Sequence, residues 1–101
     1  MKEIDWSSLS FGYMKTDYNV RCWYRDGAWG EIEVSSEETL NIHIAATCLH
    51  YGQEAFEGLK AYRCPDGKVR VFRMDENAAR LQSTCRGIMM PELPTELFEE
   101  M

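Results

Sequence analysis

Asp26-Gly27 stands between two short runs of strand-forming residues, and Pro65-Asp66-Gly67 repeats the arrangement further along the chain. Asp-Gly suits the positive φ angles of a tight hairpin turn, while proline presets a turn that glycine closes, so both signals commit their flanks to antiparallel pairing. The first hairpin is expected over 20–25 and 29–34, where Ile32 and Val34 alternate with Glu31 and Glu33. The second is expected over 59–64 and 68–73, with Val69 and Val71 alternating against Arg70 and Phe72. A further alternating stretch, 40–44, puts Leu40, Ile42 and Ile44 on one face and Asn41 and His43 on the other. It predicts an extra strand, on whose surface His43 sits as an ordinary polar residue and not as a ligand.

Helical signals fall between and after the hairpins. Residues 49–56 contain no β-branched side chain and lead into Glu57-Gly58, which predicts a short helix closed by glycine. Asp75 is read as the N-cap of a helix running to Arg86, with Ala78, Leu81 and Cys85 as its apolar stripe and Gly87 as its stop. Pro91 and Pro94 break the chain, and a last helix begins at Thr95, with Glu96 in its first turn and Leu97, Phe98 and Met101 opening an apolar stripe. That helix meets no terminator, so the chain reads as cut within an element. The lead-in, residues 1–19, shows no period. The fold class expected is α+β: a largely antiparallel sheet of two hairpins plus an extra strand, with one main helix packed on its face.

Composition narrows the functional classes. A length of 101 residues, 45% hydrophobic and 28% charged, suits one small globular domain with a modest core. Seventeen acidic against 11 basic residues, a net charge of −6, argue against a nucleic-acid surface, because phosphate contacts need clustered Lys and Arg. No apolar run is long enough for a signal peptide or a membrane span, which makes a cytoplasmic protein the expectation. Cys22, Cys48, Cys64 and Cys85 are widely spaced, without a Cys-x-x-Cys pair, so no metal site is expected and the thiols are read as small buried hydrophobes.

The residues alone offer little catalytic inventory. There is no Gly-rich phosphate loop, no nucleophile elbow and no convincing pair of carboxylates. Lys2, Lys15, Lys60 and Lys68 lie in contexts that do not mark a Schiff-base lysine, and Lys60 reads as an exposed strand residue. The densest polar and aromatic stretch, 50–58, reads by itself as a capped helix whose Tyr51 and Phe56 pack into a core. Arg80, beside the apolar stripe, is either a solvated or ion-paired residue or a phosphate ligand using its fork of donors. Spacing does not choose between them.

The segment Leu49-His50-Tyr51-Gly52-Gln53-Glu54-Ala55-Phe56-Glu57-Gly58-Leu59-Lys60-Ala61-Tyr62, followed by Val69-Arg70-Val71-Phe72-Arg73 and Asn77-Ala78-Ala79-Arg80-Leu81, closely resembles branched-chain amino-acid aminotransferases, fold-type IV pyridoxal-phosphate enzymes. Phe11-Gly12, Trp29-Gly30 and Met90-Pro91 extend the resemblance over nearly the whole chain. It implies that Tyr51 helps organise the carboxylate side of a substrate pocket, that Phe56 forms part of its apolar wall, and that Arg80 contacts the phosphate of pyridoxal 5'-phosphate. Gly52 and Gly58 match as backbone devices, while Glu57 and Lys60 match in structural roles, Glu57 as an acceptor for nearby donors.

The activity so implied is reversible transfer of the amino group of leucine, isoleucine or valine to 2-oxoglutarate, in a homodimer. Residues 1–101 correspond to the N-terminal small domain, and the Schiff-base lysine belongs to a large domain beyond residue 101, leaving no catalytic residue here. By itself the piece would expose apolar surface that the large domain covers. Two alternatives stand beside this reading: another fold-type IV enzyme, such as a D-amino-acid aminotransferase or an aminodeoxychorismate lyase, and a non-catalytic standalone module. The 101-residue chain mixed with pyridoxal phosphate, leucine and 2-oxoglutarate is predicted to show neither imine absorbance nor turnover; measurable transamination would overturn this.

Overall fold

In the computed structural model, which describes residues 3–101, the first hairpin forms where its turn demands. Strand β1 (Asn19–Arg25) pairs antiparallel with β2 (Ala28–Ser35), and the two turn residues, Asp26 and Gly27, have φ angles of 52° and 81°. Two successive positive φ values give the turn whose twist matches that of its flanking strands. The register slips once: Cys22 faces Ile32 and Tyr24 faces Trp29, so Trp23 alone opposes Gly30 and Glu31. This bulge brings Trp29 and Ile32, three residues apart, to the same half-buried face. There the Tyr24 and Trp29 rings meet edge to face at 5.2 Å. On the other side Arg25 lies over the Trp23 ring, 4.8 Å from its centre. The lead-in is tied down by Tyr13, whose hydroxyl donates to Glu38 at 2.7 Å, with Lys15 on the same carboxylate at 3.4 Å.

Residue contacts divide the chain into two units, one ending at Asn41 and the other Ile42–Met101. The second begins with a correction. Residues 40–44 form no strand; His43 and Ala46 close a turn instead, the amide of Ala46 donating to the carbonyl of His43 at 2.9 Å and the His43 ring nitrogen accepting from Ala45 at 3.0 Å. A strand needs a neighbour, and among the described residues each hairpin is a separate two-stranded sheet that offers this segment none. Leu40, Ile42 and Ile44 are accordingly exposed.

The helix expected over 49–56 is also shorter and earlier. Helix α1 spans Thr47–His50, and the chain leaves it because Gly52 takes φ +61°, a left-handed conformation that stops the helix six residues before Gly58. Cys48 on this isolated turn is exposed, against expectation; Cys22 and Cys64 are half-buried and Cys85 alone is buried, all four as free thiols.

The second hairpin joins β3 (Ala61–Arg63) to β4 (Val69–Val71) and is shorter than its alternation suggested. Its turn is as expected: Gly67 donates to Cys64 at 2.9 Å with φ +81°, and the Asp66 carboxylate accepts from the Lys68 amide at 3.0 Å and from Arg70 at 2.7 Å. Main helix α2 spans Met74–Gly87. Both of its ends differ from the expectation. Arg73, in a left-handed conformation (φ 48°), occupies the N-cap, so Asp75 lies inside the first turn, where its charge still complements the helix dipole. Gly87 remains helical, and Met89 (φ 59°) takes the left-handed position beyond the end, with Met90 donating to Cys85 at 2.8 Å and Met89 to Arg86 at 3.4 Å. That pair of bonds is the Schellman closure.

Among the described residues Ala78 and Cys85 of the expected stripe are the fully buried ones, with Leu81 half-buried between them. The element packed against α2 is the last helix, α3 (Thr95–Glu100), and not the face of a sheet. Gln82 ties the two, donating to the Leu93 carbonyl at 2.9 Å and the Thr95 hydroxyl at 3.1 Å. The α+β class with two antiparallel hairpins and one main helix therefore stands; the extra strand and the helix-on-sheet packing do not. Because Ala78 is 1% exposed and its neighbour Ala79 is exposed, Ala78→Leu should cost about 1–3 kcal/mol in a urea unfolding titration. Ala79→Leu should stay within about 0.5 kcal/mol, and equal losses for both would refute the packing described.

Candidate functional site

The loop after α1, residues 51–60, contains no helix or strand, so side chains must hold it. Gln53 fastens its beginning. It accepts from the Thr47 hydroxyl at 2.7 Å and donates to the Ile88 carbonyl at 2.8 Å, joining α1 to the end of α2. Thr47, Tyr51, Gly52, Gln53 and Ile88 line an open hollow of about 430 Å³.

Glu57 fastens the other end. Asn77 and Arg80 stand three residues apart on α2 and so share a face. Asn77 donates to one Glu57 oxygen at 2.8 Å and to the Gly58 carbonyl at 3.2 Å. Arg80 donates through Nε to the second Glu57 oxygen at 2.7 Å and through one terminal nitrogen to the first. The pair is asymmetric, with the Glu57 side chain 5% exposed and that of Arg80 69%. Donation from Arg80, then Asn77, holds the Glu57 carboxyl at about 2, down from an ordinary 4.5, and the same pairing raises the Arg80 guanidinium further above its usual range.

The ion-paired alternative for Arg80 is thus realised, and Glu57 is the acceptor that the sequence reading left without named donors. Side-on pairing engages Nε and one Nη of the guanidinium; its outer edge carries further N–H donors suited to a tetrahedral oxyanion. Tyr51 borders the hollow with 84% of its surface exposed. Phe56 lies outside that lining, 92% exposed. Read from residues alone, these two rings belonged to a core; both face outward instead, because the loop that carries them is not helical. Lys60 precedes β3 as an exposed loop residue. Gln53 and Asn77 were singled out by no sequence argument, although the three-residue spacing of Asn77 and Arg80 was a signal available for the latter. Among the described residues no cluster of His, Cys, Asp and Glu is arranged to hold a metal, and no helix is long and apolar enough to cross a membrane.

No profile of a known protein family matches the chain. Individual proteins do. A branched-chain-amino-acid aminotransferase of Haemophilus influenzae is 51% identical over 98 residues, which is 97% of this chain and 29% of that protein. One from Helicobacter pylori is 45% identical over the same shares, and branched-chain-amino-acid transaminase 1 of Bacillus subtilis is 42% identical over 95% of this chain and 27% of its own length. The chain thus spans under a third of the length of the curated relatives it matches.

A carboxyl with a folded pKa below its unfolded one stabilises the fold only while ionised there. The Glu57 contribution should be complete above about pH 4.5 and fade as pH falls toward about 2. Urea midpoints compared between about pH 6 and about pH 3 should fall less in Glu57→Gln than in the parent sequence. A carboxyl resonance of Glu57 titrating near 4.5 would contradict the ion pair.

Proposed function

We propose that this chain, which belongs by sequence with the branched-chain-amino-acid aminotransferases, serves as the N-terminal small domain of a pyridoxal-phosphate-dependent enzyme of that specificity. The enzyme would pass the amino group of leucine, isoleucine or valine reversibly to 2-oxoglutarate, as a cytoplasmic homodimer. The observation that carries this reading is the placement of Arg80. It stands exposed on α2 and is joined through Glu57 to the loop that bears Tyr51 and Phe56.

In this reading the outer edge of the Arg80 guanidinium binds the cofactor phosphate, and the chemistry of its donor set fits that group: planar, always charged and partly pre-oriented. Bound pyridoxal phosphate supplies the electron sink for chemistry at the amino-acid α carbon. Tyr51 gives the pocket an apolar ring with one hydroxyl, which orients the substrate carboxylate. Phe56 offers surface alone and forms part of the wall that takes a branched aliphatic side chain while excluding water. The lysine that carries the cofactor lies outside these residues.

In the full-length protein, Phe56→Ala should lower kcat/KM for leucine by about tenfold more than for alanine, since a hydrophobic pocket discriminates between them through lost methylene contacts. Steady-state kinetics with both donors reads this. An equal loss for the two would remove Phe56 from the side-chain wall, and no turnover of leucine by the unmutated protein would refute the activity proposed.

A further inference from the structure

The asymmetry of the Glu57–Arg80 pair calls for an explanation beyond a brace. A brace between a loop and a helix needs only one well-placed hydrogen bond, and Asn77 already supplies two, to Glu57 and to the Gly58 carbonyl. Yet the covered member is the carboxylate, while the guanidinium that neutralises it remains mostly in solvent. An arginine on an exposed helix face ordinarily samples many rotamers, and its plane points nowhere in particular. Here two bonds to one carboxylate, through Nε and a terminal nitrogen, fix both the reach and the plane of the group.

We infer that Glu57 is a positioning residue: its covered carboxylate, held by Asn77, sets the Arg80 guanidinium so that the outer edge is presented as a ready fork for a phosphate monoester. The inference rests on the reading of Arg80 as the phosphate anchor. It adds that the anchor's strength depends on a residue that never touches the phosphate. Setting the fork beforehand removes the rotamer entropy that binding would otherwise cost. It also opposes electrostatics, because the Glu57 charge weakens the attraction between Arg80 and a phosphate. The two effects predict opposite signs when Glu57 loses its charge, which makes the inference decidable.

The test uses the full-length protein stripped of cofactor, titrated with pyridoxal phosphate and, separately, with pyridoxal, which lacks the phosphate. Glu57→Gln and Glu57→Asp should each raise the dissociation constant for pyridoxal phosphate about tenfold, the scale of one charge-assisted contact, and leave that for pyridoxal unchanged. The aspartate variant keeps the charge but is one methylene too short for the side-on pairing, so it separates orientation from charge. In an Arg80→Ala background neither substitution should have any further effect. Equal weakening of both ligands, or tighter binding of pyridoxal phosphate, would overturn the inference, as would failure of both variants to fold, which would mark Glu57 as purely structural. If Arg80→Ala itself leaves the preference for the phosphorylated ligand intact, the anchor reading fails, and this inference with it.

Discussion

The carboxylate of Glu57 is the constraint on which the second unit's candidate site depends. It belongs to a loop with no backbone ladder of its own, and α2 reaches it with Asn77 and Arg80 from a single face. Take that carboxylate away and Arg80 loses its orientation, while the loop keeps the bond from Asn77 to the Gly58 carbonyl and the one from Gln53 to Ile88 as ties to the helix. The carboxylate is also costly to leave without its donors, because so little of its side chain reaches water.

Hydrophobic burial cannot substitute for this tie. Among the described residues Ala78 and Cys85 are those that close fully, and Leu81, Leu97 and Phe98 are half-covered around them. Large apolar side chains, Phe11, Tyr51, Phe56, Phe72 and Met89 among them, stand well exposed. With so little buried apolar area, polar side chains carry an unusual share of the local order: Gln53 and Glu57 on the loop, Gln82 between α2 and α3.

How legible these features were depended on how local their causes are. Asp26-Gly27 and Pro65-Asp66-Gly67 carry their turn geometry in the residues themselves, so both hairpins could be located from the chain alone, and the β2 bulge only adjusts which residues share a face. Alternation at Leu40, Ile42 and Ile44 misled, because period two is a necessary property of a half-buried strand and says nothing about whether a partner strand exists. The helix over 49–56 failed for a related reason: composition permitted it, but Gly52 and the Gln53 side chain offered a competing path that leads to α2. At the ends of α2, left-handed Arg73 and Met89 displaced the expected Asp75 cap and Gly87 stop by two residues each, where approach from β4 and departure toward Pro91 decide the backbone.

The order of residues by itself determined the α+β class, the two turns, the apolar stripe of α2 and, through the run from Leu49 to Tyr62, a likeness to branched-chain aminotransferases that the individual relatives then matched. Tertiary structure decided what the polar residues do. That Glu57 meets Asn77 and Arg80 across twenty and more positions, and that Tyr51 and Phe56 face outward, follow from where α2 packs against the loop. Turn and stripe signals act over a few bonds and are written in neighbouring residues, whereas the partner of a half-buried carboxylate is chosen only when distant segments arrive together.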